Sequence, residues 1–483
     1  MKDIALSSIS FAQLKRNSEQ SQKQICTFFF TSAFYDLQME RKICTLTKFN
    51  VSLINIMATE SSSRFSTLKY ALGPGLIMAA AAVGVSHLVQ STRAGAEYGF
   101  ALVWAVILAN IFKYPFLEYG PRYAIVAKES MIEGYKKLGS WAFWIFVIFT
   151  IGTMFTVQAA VTIVTASLAA ELTGIVLSPI IWSAIILGIC ILILGAGQYS
   201  ALDGAIKLIM VVLTVSTIIA IVVAFFNTGG SPKPSAPNVW TGSGIAFLIA
   251  LMGWMPIPID GAAWHSIWSL ERIKQTGKQP SLKDSLTDFN IGYIGAGFLA
   301  LCFLTLGALI MFGSGEVFAE NGGAFSKQLV NIYTSTLGDW AYIIIIICAF
   351  TTMFSTTLTV TDAYPRVSRQ ILSNISSGFK ADSKKGYRYF IISISAISLI
   401  VLYFAGNRFT FMVDLATTLS FLTAPVLAFI NYRLVMSKHF PDEHRPPKWL
   451  QILSWNGIIF LSGFALFYAY SKFFSLITEN TFV

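Results

Sequence analysis

The sequence predicts an all-α polytopic membrane protein of about eleven transmembrane helices: five spans, five more of inverted orientation, and one extra. Three observations predict it. Of 483 residues, 55% are hydrophobic and 12% charged, with a mean hydropathy of +0.65, and a soluble domain could not hide that much apolar surface. Apolar runs of membrane length recur along the chain, with Lys and Arg gathered in alternate connecting loops. The first and sixth runs are discontinuous, broken at Gly84-Val85-Ser86-His87 and at Met255-Pro256-Ile257-Pro258-Ile259-Asp260-Gly261. Paired breaks in corresponding positions of two halves point to the substrate site of an inverted-repeat transporter.

In chain order, residues 1–56 are polar and mixed, without sustained periodicity or a signal-peptide layout. They read as an over-extended gene start, because Met57 opens Met-Ala-Thr-Glu-Ser-Ser-Ser just before the first span. The rival reading is a disordered cytoplasmic tail. The membrane domain is then 57–483. Its spans fall near 73–91, 100–120, 142–168, 178–197, 205–227, 244–264, 290–313, 337–363, 388–405, 410–432 and 452–471. The first repeat covers about 70–230, the second about 240–435, and the extra helix about 452–471. The connectors 228–243 and 314–336 carry Gly-rich turns and read as plain loops.

The net charge of +10 reads as topology rather than as a nucleic-acid patch. Arg122, Lys128, Lys136, Lys137, Lys207, Arg272 to Lys283, Arg366 to Arg388 and Arg433 to Lys448 fall on one side, and Arg93, Lys233, Lys327, Arg408 and Lys472 stand almost alone on the other. The positive-inside rule then places the N-terminus in the cytoplasm and the C-terminus outside, in the cell (plasma or inner) membrane. Cys190, Cys302 and Cys348 fall in apolar spans, and Cys26 and Cys44 in the extension. No spacing among them suggests a disulfide framework or a structural metal.

A spanning helix breaks only where it lines a cavity or packs in protein, since each unpaired backbone group in hydrocarbon costs several kcal/mol. At the first break Gly84 supplies backbone freedom and Ser86 a hydroxyl, although both residue types also serve plain helix packing. His87 is an ionisable group at membrane depth and a good transition-metal ligand when neutral; the bland alternative is a histidine hydrogen-bonded between helices. At the second break Pro256 and Pro258 each remove an N–H. Asp260 follows, and a carboxylate there costs about 2.5–3.5 kcal/mol. It is expected to face a wet cavity, a cation or His87, or else to cap the next half-helix. Met255 offers a thioether, or simply fills space. Gln158, His265 and Thr417 are secondary candidates, with packing as the plain reading of each. Spans three, eight and ten hold further polar clusters: Thr153, Thr156 and Gln158, then Ser355 to Asp362, then Asp414, Thr417, Thr418 and Ser420. Asp362 is expected to form a local ion pair and Asp414 to face water. No Walker, HExxH or Ser/His/Asp arrangement argues for an enzyme.

The stretch Gly73–Ala96 resembles the first span of the Nramp family of proton-coupled divalent-metal transporters. It shares Gly73-Pro74-Gly75, Leu76-Ile77-Met78-Ala79 and Ala94-Gly95-Ala96. Val106-Ile107-Leu108-Ala109-Asn110 resembles part of that family's second span, and the likeness extends weakly over about 70–475. It implies a LeuT-type fold, the same 5+5 inverted repeat. The family's first-span Asp-Pro-Gly-Asn is replaced here by Gly84-Val85-Ser86-His87. Its sixth-span Met-Pro-His falls on Pro258-Ile259-Asp260 or, shifted, begins at Met255-Pro256. Third-span acidic residues are missing, with Gln158 nearby.

This reads as a divergent branch with a rebuilt site, in which His87 and Asp260 are the candidate metal ligands. The implied cargo is a divalent metal cation, with proton coupling through His87 and pH-dependent uptake between about pH 5 and 8. No cofactor is expected; the partners are a small inorganic cation and the lipid bilayer, not nucleic acid, and a monomer suffices. Alternatives are a transporter of an organic solute such as an amino acid, or a non-transporting receptor or leak channel.

Overall fold

The computed structural model describes residues 73–480, apart from Gln198, 228–233, 316–318, Glu320 and Asn407. The N-terminal extension, Met57, Cys26, Cys44 and Lys233 lie outside the described residues. Each expected span finds its helix or helix pair. Span one comprises α1 (Pro74–Ala82), a π-helical segment (Val85–Ser91) and α2 (Thr92–Tyr98). Spans two to five are α3 (Val103–Ala127), α5 (Ser140–Thr173), α6 (Pro179–Gly195) and α7 (Tyr199–Asn227), with a short α4 (Met131–Leu138) after α3. Span six is α8 (Gly242–Trp254) and α9 (Gly261–Thr276), interrupted between them. Spans seven to eleven are α10 (Leu282–Ile310), α12 (Tyr342–Ile375), α13 (Lys384–Ala405), α14 (Phe409–Val435) and α15 (Lys448–Asn480), with α11 (Gly322–Leu337) lying before α12.

Several helix starts follow a polar residue placed ahead of the apolar run. The side chains of Ser178, Thr241, Ser281 and Ser383 each accept a backbone N–H three residues on, which satisfies a donor that the first turn leaves free. Two helices depart from expectation. The connector 314–336 contains α11, capped by Asn321 and burying Phe325, Leu329, Val330 and Tyr333 on one face. That periodic face outweighs the Gly322-Gly323 signal for a loop. The segment after span two folds into α4 because Ser130 and Glu133 form a reciprocal capping box. Arg93, Arg122, Arg366 and Arg369, read from sequence as loop charges, lie on helices instead. Arg122 is buried in a paired contact with Glu118, 2.6 Å at its shortest.

Two groups of helices emerge from the packing. In the first, α10 lies along α1, α2 and α3, and α9 packs on α3. In the second, α5 packs on α6, α12 and α13. Span five touches α10 and α12, and span ten touches α8 and α5, so each bridges the groups. Among the described residues, seven helical stretches are long and apolar enough by themselves to cross a bilayer. Outward-facing Ile148, Ile151, Phe225, Phe226, Phe404 and Leu466 are exposed on the surface; an apolar belt of that kind suits lipid rather than water.

Candidate functional site

The two breaks face each other at the boundary between the helix groups. At the first, α1 ends as Val83 N–H donates to Ala79 O, and the chain restarts in a π-helical turn from Gly84. Gly84 has a structural reason as well as a conformational one: a Cβ there would stand 2.4 Å from Thr356 Oγ1 on α12. Thr356 donates to Ala80 O at 2.8 Å, so span eight closes directly over the end of α1. The density of hydroxyls on span eight is explained in part by this bond and by the Thr357–Thr165 contact to span three, 2.7 Å.

Ser86 joins the breaks. Its Oγ lies 2.7 Å from Ala82 O, 2.7 Å from His87 Nδ1 and 3.3 Å from Pro256 O in span six. His87 is fully buried, and its Nε2 lies 2.8 Å from Ala296 O on α10. A carbonyl only accepts, so Nε2 carries a proton. Both ring nitrogens are therefore engaged, and His87 braces span one against span seven.

At the second break, Met255 to Ile259 carry no helix and Asp260 takes the N-cap position of α9 with no capping bond from its side chain. The expected cap is thus absent. Among the described residues no hydrogen bond or ion pair joins Asp260 to His87; the charge within electrostatic reach of Asp260 is Lys113. Lys113 is fully buried in the middle of α3, and its Nζ donates to Met252 O at 2.7 Å and Gly253 O at 2.7 Å, with Ile257 O at 3.5 Å. Sequence reasoning passed over this residue. The signal was there: a lone lysine inside an apolar run, and a proline, Pro256, four residues after a carbonyl that a helix would have used.

Between the breaks lies a small cavity of about 20 Å³, walled by Val85 and Ser86 of span one, Trp254, Pro256, Ile257, Pro258 and Trp264 of span six, Val157 and Val161 of span three, and Thr356 and Val360 of span eight. Of the sequence candidates, Ser86 and Pro258 line it and Gly84 shapes its floor against Thr356. Met255 is buried beside the break. Gln158 is buried one residue from Val157 and donates to Thr361 at 3.0 Å and Thr162 at 3.2 Å, while its Oε1 has no hydrogen-bond partner. His265 is buried on α9 with its ring 5.8 Å from that of Phe289, neither nitrogen hydrogen-bonded. Thr417 returns its hydroxyl to Val413 O and serves its own helix. Among the described residues no cluster of three or more His, Cys, Asp or Glu side chains is placed to hold a metal.

Ties join the helices on either side of the breaks. On one side Arg93 of α2 pairs with Asp414 of α14 at 2.9 Å and with Glu97 at 2.7 Å, lies 4.7 Å from the Phe247 ring of α8, and is joined by Gln90 to Asp414 at 2.8 Å. Asp414, expected to face water, is partly exposed and pairs with Arg93 as well. On the other side Asp288 of α10 accepts from Gly73 N at 3.2 Å and Gly75 N at 2.6 Å, anchoring the start of α1. Arg366 there bonds Asp362 at 2.7 Å and Glu271 of α9 at 3.4 Å, the ion pair expected of Asp362.

Residues 75–471 match the model of a family described as natural resistance-associated macrophage protein-like. An uncharacterised protein of Pasteurella multocida is 38% identical over 403 residues, covering 82% of this chain and 91% of that one. Among solved structures, the Eremococcus coleocola manganese transporter in a single-residue mutant form superposes with a TM-score of 0.63 at 13% identity, over 83% of this chain and 86% of that chain. MhsT in complex with L-phenylalanine gives 0.58 at 13% identity, over 82% and 98%. The shared architecture is the LeuT-type fold.

Proposed function

The chain belongs to the natural resistance-associated macrophage protein-like (Nramp) family of secondary-active membrane transporters, and from that premise we propose that its cargo is a divalent metal cation. The observation that carries this is the meeting of two broken spans around one small cavity, with ties on both sides of the breaks. In such a site the half-helix ends present carbonyls that replace an ion's water. Asp260 supplies the attracting carboxylate, while Ser86 and the carbonyls of the two breaks supply neutral oxygens. His87, with both nitrogens engaged, acts through its proton rather than as a resident ligand. The chain sits with its N-terminus in the cytoplasm and its C-terminus outside, as the charge distribution supports.

Uptake of Mn²⁺, Fe²⁺, Zn²⁺ and Mg²⁺ into proteoliposomes tests the reading. Saturable uptake of at least one metal, lost in Asp260→Asn with the protein still in the membrane, is the expected outcome. Metal uptake no greater than in empty vesicles overturns it.

The cavity wall favours a second reading. Val85, Val157, Val161, Ile257 and Val360 make most of it apolar, which suits a small organic solute with an apolar side chain. Saturable amino-acid uptake in the same vesicles, with no metal uptake, selects this alternative.

A further inference from the structure

We propose that the break in span six is a monovalent-cation site whose resident is the protein's own Lys113 ammonium. The proposal concerns the scaffold of the cavity and stands whatever the cargo proves to be.

A lysine at the centre of a span costs about 2.5–3.5 kcal/mol on the most lenient scale, so something must compensate it. Span six does so. In a continuous helix Met252 O would accept from the residue four places on, but that residue is Pro256, which has no N–H. Pro258 leaves Trp254 O in the same position, and the chain between them has left helical geometry. The last turn of α8 therefore ends in carbonyls with no intrahelical donor, at the end of a helix dipole where positive charge is favoured. An ammonium has three N–H groups. Lys113 Nζ meets three carbonyls, from Met252, Gly253 and Ile257, drawn from both sides of the first proline.

The charge balance is consistent. Asp260, the next acidic residue along span six, is the carboxylate that Lys113 feels, so ammonium and carboxylate bracket the unwound stretch. Without Lys113, three carbonyl oxygens would converge on an empty centre, which is the chemistry of a site for a small monovalent cation. The lysine does as a tethered group what an exchangeable ion would do reversibly. Span two is thereby latched to the break, and a monovalent cation from the medium has no place there.

Melting of purified protein in sodium, potassium, ethylammonium and choline chlorides, at one ionic strength, tests this. The readout is the difference in cation dependence between wild type and variant. Lys113→Ala is expected to melt several degrees lower than wild type in choline. At least half of that loss should return in ethylammonium or sodium, with wild type unmoved by the exchange. Lys113→Gln, which keeps two N–H donors, is expected to lie between them and to respond in the same sense. Equal cation dependence in wild type and both variants overturns the proposal. So does failure of both variants to fold in every one of the four salts, since an exchangeable cation would then be no substitute for the lysine.

Discussion

Ser86 has one proton and three acceptors within reach: Ala82 O, Pro256 O and His87 Nδ1. Because His87 Nε2–H is committed to Ala296 O, a neutral imidazole presents Nδ1 as an acceptor and takes the Ser86 proton. A protonated imidazole donates from Nδ1 instead, and the hydroxyl turns to a carbonyl of one of the breaks. One proton on His87 thus decides whether Ser86 bonds to its neighbour or to the backbone at the cavity. Removing the hydroxyl should uncouple the two. Ser86→Ala is expected to retain uptake while losing most of the pH dependence that the histidine confers. His87→Asn should flatten the same profile. The check is initial uptake rate against pH in vesicles; a Ser86→Ala profile of wild-type shape would show that the hydroxyl does not relay the proton.

At the scale of elements, the break in span one depends on how closely it lies against span eight. A methyl at Gly84 would meet Thr356 Oγ1 at 2.4 Å and Cγ2 at 2.7 Å, and overpacking of this kind costs about 1–3 kcal/mol. Gly84→Ala is therefore expected to lower the melting temperature and slow uptake. Thr356→Ala in the same chain removes the two nearest atoms and should recover part of the stability, though without the bond to Ala80 O. An additive double mutant would deny the contact, since touching residues couple. The breaks themselves were legible in the sequence, because prolines, glycine and buried charge interrupt apolar runs visibly. What closes over them was not. Thr356 stood out only as one of a crowd of hydroxyls, and α11 hid behind two glycines. Lys113 escaped because its meaning depends on carbonyls roughly 140 residues away in sequence, a non-local pairing that no window reads.

For the whole molecule, the two helix groups share the cavity, and the ties on its two sides differ in construction. Arg93 binds α2 to α14 through Asp414 with side chains only, both of them partly exposed. Asp288 holds the first turn of α1 through two backbone N–H groups, a charge-assisted pair placed where the helix dipole favours an anion. An exposed ion pair is worth at most about 1 kcal/mol, whereas hydrogen bonds to a buried charge run to about 1.5–3 kcal/mol each. The Arg93 side is therefore the weaker closure, and it should open first when challenged. With the C-terminus outside, as the charge distribution argues, that side faces outward. A cysteine introduced at Val85, in a chain lacking its native cysteines, reports on this through a membrane-impermeant thiol reagent. Arg93→Ala is expected to raise its labelling from outside intact cells several-fold, and Asp288→Asn to raise it only from the cytoplasmic face of inverted vesicles. A tag after Val483 should be reached from outside in the same cells, which fixes the orientation independently. Labelling raised from the cytoplasmic face by Arg93→Ala would reverse the assignment of the two gates, and a tag hidden from outside would reverse the topology with it.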